Sequence, residues 1–268
     1  MQTLALGYAF ARSSFLVMLA HRLRYVLGVF NYFIYVAVAW YLWEAVFYRQ
    51  DRVATWSLPQ MQTYVCVNWI FRSTYFSNAD NILAARISKG EIVSDLLRPS
   101  SLLLQFYGSA LGEMLFRALF MGLPVGLVVG VAFGLLPPAS AAAAADSAIS
   151  FLLAFHIFFA INFITGLCAV FTEKLQGFLW AKFILIQFLS GQLLPFEFFR
   201  NYPSVQAVFE LLPFKHIAYT PVSLYLGRWE PERVRAELLL QVAWTLGLLA
   251  FCALGWRAVR RRLSLLGG

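Results

Sequence analysis

Few side chains in this sequence carry chemical potential, and the most suggestive are two ions. Glu113 and Arg117 stand i, i+4 with the acid N-terminal, the favourable order for an ion pair on a helix. Ionisable groups inside an apolar run point first to function, here a proton or ion pathway. The alternative is a self-neutralising pair near a membrane interface. It is favoured, because no chain of further acids continues along the run as a proton relay requires. His156 lies within the apolar stretch 148–170 and reads as a packing histidine hydrogen-bonded to a neighbouring helix. His21 and His216 fall on other segments, without the clustered carboxylates a metal site needs. Cys66, Cys168 and Cys252 are far apart in apolar surroundings and read as small core hydrophobes. There is no G-x-x-x-x-G-K-[ST] phosphate loop, no G-x-S-x-G elbow and no H-E-x-x-H helix. No catalytic, cofactor or metal role is therefore expected of this chain.

The elements that position these groups follow from composition. The chain has 268 residues, 61% hydrophobic and 13% charged, with a mean hydropathy of +0.70. Soluble chains carry about 45–50% apolar and about 25% charged residues, and disordered chains are poorer still in apolar groups. Both classes are excluded, leaving an all-α integral membrane protein. The net charge of +8 would suit nucleic acid in a soluble protein. Here the basic residues flank apolar runs, so membrane orientation accounts for them and no nucleic-acid partner is expected.

A bilayer-crossing helix needs about 20 mainly apolar residues. Six spans are expected, at about 25–47, 59–77, 114–136, 148–170, 178–194 and 238–256. The second is more polar, with Gln60, Gln62, Asn68 and Arg72, and should face protein or a cavity. Residues 100–111 read as an interfacial approach to the third span, which Pro124 bends and Pro137-Pro138 ends. The excess of Lys and Arg on one set of connections places both termini in the cytoplasm, with Arg117 and Lys182 snorkelling to the same side. Residues 1–24 lack a basic leader and a cleavage site and suit a helix lying along the inner interface rather than a secretory signal. The whole chain reads as one transmembrane domain.

Three further features stand out. Gly122, Gly126, Gly130 and Gly134 repeat every fourth residue, a smooth helix face for close packing within this subunit or against another. Between spans two and three, 78–99 reads as two short helices. Asp80 caps the first, Leu83 and Ile87 share one face, and Gly90 breaks it before an amphipathic turn that Arg98-Pro99 closes. This knob suits either an ordinary interfacial hairpin or a docking element for a soluble partner. Outside, 195–235 is too apolar for a plain loop and too interrupted by Pro203, Pro213 and Pro221 to span, which suits re-entrant or interfacial helices.

At these residues the chain resembles the ABC-2 type permease family, the membrane subunits of ATP-binding-cassette exporters. Gly90-Glu91 followed by Leu96-Leu97-Arg98-Pro99 matches the family's inner connection. Leu211-Leu212-Pro213-Phe214, Tyr219, Pro221 and Leu226-Gly227 match its pattern before the last span, and the basic end closing on Gly267-Gly268 is also typical. The resemblance implies a half-transporter of the bacterial inner membrane that pairs with an identical or paralogous permease and binds two cytoplasmic ATPase subunits, which hold the ATP and Mg. It also implies that Asp80, Leu83, Ile87, Gly90, Glu91, Ile92, Leu96, Leu97 and Arg98 form the coupling segment. The N-terminal helix would add a second contact. Spans two and five would line the pathway through Tyr64, Asn68, Tyr75, Gln187, Ser190 and Gln192. Export of an amphipathic or hydrophobic compound is the leading reading; a self-sufficient channel or ion-coupled carrier using Glu113 and Arg117 comes second, and an intramembrane enzyme last.

Overall fold

A computed structural model describes residues 2–98, 100–172 and 175–266. Pro99 and Gly267-Gly268 of the expected motifs lie outside the described residues. The chain opens with α1 (Gln2–Ala20) and α2 (Arg22–Val46), separated by a turn at His21. A two-residue ribbon follows, β1 (Arg52–Val53) antiparallel to β2 (Trp56–Ser57), with Val53 opposite Trp56. Then come α3 (Leu58–Tyr75), α4 (Ala79–Ser88), α5 (Ile92–Leu96) and α6 (Leu102–Arg117). A π turn at Ala118–Gly122 joins α6 to α7 (Leu123–Phe133), and α8 (Ala141–Leu167) and α9 (Leu175–Leu189) follow. The expected re-entrant stretch holds single turns at Phe196–Phe199 and Pro213–His216 around α10 (Pro203–Leu211), then α11 (Tyr219–Tyr225). The last helix, α12 (Pro231–Leu266), is 36 residues long.

Local chemistry sets several of these boundaries. Ser57 and Gln60 form a reciprocal capping box at the start of α3, with Pro59 in its first turn. Ser101 accepts from Leu104 N and Ser140 from Ala143 N, satisfying first-turn donors of α6 and α8. Gly134 ends α7 in the left-handed region, at φ 67°.

Among the described residues, five helices are by length and composition long and apolar enough to cross a membrane: Thr3–Ala20, Leu27–Val46, Leu102–Phe133, Ala141–Val170 and Pro231–Arg261. This set differs from the expected six in three places. The N-terminal helix qualifies, whereas α3 falls short on hydropathy and Gln176–Leu189 on length. The reason for α3 is physical. Twelve of its 18 residues are buried, so most of its surface faces protein rather than lipid and it need not be greasy.

The expected interfacial break before the third span is absent, because the helix runs on from Leu102 to Phe133. Thirty-two residues at 1.5 Å each reach about 48 Å, beyond the roughly 30 Å hydrocarbon core. Its first half is instead lined by α1, which runs beside it in the same direction. Gly7 approaches Gly108, Ala11 approaches Gly112, and Phe15 meets Phe116 edge-on at 5.7 Å. A Cβ on Gly112 would collide with the Ala11 backbone, which is why glycine stands there. Pro124 leaves the helix without one amide donor, and the ladder slips into the π turn just before it.

The largest core cluster joins α3, α4, α6, α8 and α12 through Tyr75, Leu83, Phe106, Phe159, Phe163 and Trp256. A second gathers Trp43, Trp56, Tyr64, Phe196, Phe209 and Tyr219, so the 195–225 stretch is a packed cap on α3 rather than a loose loop.

Candidate functional site

The connection 78–98 is a rigid bracket. Gly90, at φ 72°, turns the chain between α4 and α5. Asp95, 1% exposed, is its keystone: Arg86 Nη1 donates to both carboxylate oxygens at 2.8 and 2.6 Å, and Arg98 approaches at 3.6 Å. From α6, Gln105 Nε2 donates to the Asp95 carbonyl oxygen at 3.1 Å and to that of Ser100 at 3.2 Å. The bracket therefore ties both short helices to the base of α6.

The nine expected coupling residues divide between two faces. Leu83 is fully buried, Ile92 is buried and Ile87 is half-buried, all packed into the core beneath. Gly90, Glu91, Leu96, Leu97 and Arg98 point out. Leu97 at 83% and Val93 at 59% make an apolar tip on an otherwise polar turn.

Asp80 does not cap α4, whose N-cap position is held by Asn78 without a side-chain cap bond. Its carboxylate is buried and takes the ammonium of Lys182 on α9, which also donates to Asn162 Oδ1 on α8 at 2.5 Å. The correction has a clear cause. The Lys182 side chain is only 13% exposed, and a desolvated ammonium needs a counter-ion more than a helix end needs a cap.

The expected pathway residues gather where α3 meets α9. Tyr64 donates its hydroxyl to the Gly191 carbonyl oxygen at 2.5 Å, and Arg72 Nη1 donates to Gln192 Oε1 at 3.0 Å. Asn68 and Ser190 are also buried and Gln187 is half-buried, whereas Tyr75 is buried further along α3 against Phe151 and Phe158 of α8. In the single chain these side chains form a seam rather than the wall of an open channel.

Below that seam lies a pocket of about 520 Å³, bounded by α3, α4, α8 and α9. Phe76, Phe158, Leu179, Trp180, Phe183 and Ile186 make its apolar wall, Ser77, Asn78, Asn81, Asn162 and Gln176 add uncharged polar groups, and Arg72, Lys182 and Asp80 supply its charges. A larger cavity of about 980 Å³ opens between α1, α4 and α6, next to Glu113 and Arg117. That ion pair is closed: Arg117 Nε donates to Glu113 Oε1 at 2.9 Å and Ser77 Oγ to Oε2 at 3.0 Å. His156 is also occupied. Its Nδ1 donates to the Leu152 carbonyl oxygen at 2.6 Å, so Nε2 accepts from the Tyr107 hydroxyl at 2.8 Å.

A family model described as ABC-2 family transporter protein matches residues 33–267. The chain belongs to the ABC-2 transporter family. No curated protein and no solved structure matches it. As an ABC-2 family member the chain is an integral membrane protein and a permease component of an ABC transporter, and the family implies an ABC ATPase partner.

Within this ABC-2 permease, sequence reasoning placed Val93 and Asp95 in the amphipathic turn but missed the exposed position of Val93 and the pairing of Asp95 with Arg86. The pair Arg86 and Asp95 straddles the Gly90 turn, so neither helical spacing nor charge order exposes it. The signal that was available is the Gly90 break itself: opposite charges on its two sides can close a hairpin. Lys182 and Asp80 are 102 residues apart, and no local pattern joins them.

Of the glycine stripe, two positions pack inside the permease. A Cβ on Gly122 would strike Thr74 of α3, and one on Gly126 would rest 3.7 Å from Ile70. Gly130 and Gly134 face open space, and Gly134 serves as the helix stop.

Proposed function

We propose that this permease exports an amphipathic or hydrophobic compound with energy from a separate ATPase, which holds the ATP and Mg. Two such ATPase subunits dock on two copies of the 89–97 turn, one on this chain and one on an identical or paralogous permease. Both termini lie in the cytoplasm and the membrane is the bacterial inner membrane. The observation that carries this reading is the bracket: an exposed apolar tip at Val93, Leu96 and Leu97, held from beneath by Asp95. A tip that must receive force needs a stiff mount, and the Asp95 bonds to Arg86 and Gln105 supply one. From the mount, α4 leads directly to Lys182 on α9, so displacement of the turn is passed to the seam of α3 and α9.

The test is co-expression with the cognate ATPase. Val93→Glu with Leu97→Glu places two carboxylates on a surface that binds through apolar contact, at a cost of about 2 kcal/mol or more per buried charge. The double variant should insert and purify like the parent yet lose the ATPase in mild detergent, and with it transport. Co-purification and transport at parental levels would overturn the docking assignment. Solute flux from the purified permease alone, without ATP, would overturn the exporter reading itself.

A further inference from the structure

Arg72 is the exception among the buried cations. Arg117 has Glu113, Lys182 has Asp80 and Lys215 has Glu237, each within ion-pair distance. Arg72 is 3% exposed, and among the described residues no carboxylate lies within 4 Å of it. What it has is a frame. Its guanidinium lies 5.4 Å from the Phe76 ring centre and 4.9 Å from that of Phe183, and Nη1 donates to Gln192. The frame fixes the plane of the group without neutralising it. A second orphan stands on the same amide: Gln192 Nε2 is buried with no acceptor.

The framed guanidinium borders the 520 Å³ pocket, whose lining holds two cations, Arg72 and Lys182, against one carboxylate, Asp80. Since Lys182 and Asp80 satisfy each other, one positive charge is left over at the upper end of an apolar chamber. A charge kept in low dielectric without a counter-ion is costly, and a protein that retains one has a use for an anion there. The pocket volume falls in the range that holds a drug-sized ligand.

We propose that this pocket binds a monoanionic amphiphile, its carboxylate, sulfonate or phosphate head on Arg72 and its apolar body along Phe158, Leu179, Phe183 and Ile186. This names the class of cargo and so rests on the transport reading, but the binding step stands apart from it. Neutral compounds of the same shape lose the head-group contact and bind more weakly. Bidentate pairing with a planar guanidinium makes the loss larger for the Arg72→Lys variant than charge alone would suggest.

The test uses the full chain in nanodiscs of neutral phosphatidylcholine, with 1-pyrenebutyrate and 1-pyrenebutanol as matched probes. Trp180 lines the pocket and serves as energy-transfer donor. The parent should prefer the acid by about tenfold or more, as a charge-assisted hydrogen bond allows. Arg72→Gln should remove the preference and Arg72→Lys should keep part of it. Equal binding of acid and alcohol by the parent overturns the proposal without reference to any variant. So does an Arg72→Gln protein that keeps the preference, or one that keeps it while the permease pair falls apart, since a carboxylate of the second copy is then the partner. Doping the discs with phosphatidylglycerol separates two sources of the anion. Displacement of the probe supports a bilayer lipid as occupant, and retention supports a free acid. Reconstitution with the ATPase separates the two readings. Acid-selective binding without ATP-driven movement keeps the site and removes export, whereas ATP-driven export of neutral compounds with equal binding of both probes keeps export and removes the site.

Discussion

At the scale of single residues, burial presses an ionisable group to find a partner or lose its charge, and Arg72 stands apart from the rest in doing neither. Lys215 takes the first course, with Glu237 at 2.8 Å. Its neighbour His216 takes the second. It is buried, Nδ1 faces Thr220 Oγ1 at 3.1 Å and Nε2 has no partner. Burial, and then the positive charge of Lys215, push its pKa down from 6.5 to about 3. A histidine held neutral in the fold but free to protonate when unfolded adds stability that is complete above pH 6.5. That stability is lost as the pH falls from there towards 3, because the unfolded chain then binds more protons. At pH 5 the loss is about 2 kcal/mol. The thermal midpoint in detergent should therefore fall more steeply between pH 7 and pH 5 for the parent than for His216→Gln. Parallel slopes would show that His216 does not contribute. All other ionisable groups are the same in the two proteins and cancel in the comparison.

At the scale of elements, the glycine stripe divides into a packed half and an open half, and the halves predict opposite outcomes. Gly122→Ala drives a methyl group into Thr74 and should force the π turn away from α3, costing about 1–3 kcal/mol. Gly130→Ala meets nothing within 4 Å and removes a helix-weakening glycine, so it should be neutral or stabilising by up to about 1 kcal/mol. Melting of both variants in one detergent checks the contrast. If Gly130→Ala instead dissociates a permease pair on size exclusion, the open half is an intersubunit face. The two halves look identical in the sequence, because a four-residue repeat fixes which side of a helix is smooth and not what lies against it. The same limit explains α3. Gln60, Gln62, Asn68 and Arg72 are legible as an element that avoids lipid, and it does so by packing against neighbours, with Asn68 and Arg72 buried at the seam. The helices themselves were readable from apolar runs and the Gly90 break, but the stop of α7 was not: Gly134 reads as part of the smooth face with Pro137-Pro138 as the terminator, whereas the helix already ends at Gly134. The continuity of α6 into α7 was not readable either, since its supporting contact with α1 joins residues about a hundred positions apart.

At the scale of the whole molecule, the 78–98 bracket and the seam near Gln192 meet through one ionic joint. Lys182 on α9 binds Asp80 on α4 and Asn162 on α8, so three elements converge on one ammonium. Neutralising one partner strands the other: Asp80→Asn or Lys182→Met should cost about 3–5 kcal/mol, the penalty of a buried ion left alone. Neutralising both removes the stranded charge, and the double variant should recover most of that loss, a coupling readable from the four thermal midpoints. Function should not follow stability. If the joint passes motion from the docking turn to α9, the double variant binds the ATPase and lets it hydrolyse ATP, yet transports slowly, because the folded permease no longer holds α4 to α9 by charge. Wild-type transport by a double variant of near-parental stability would reduce the joint to a packing device. Motion would then have to pass through the apolar contacts of Leu83 and Gly166, where α4 lies against α8, instead.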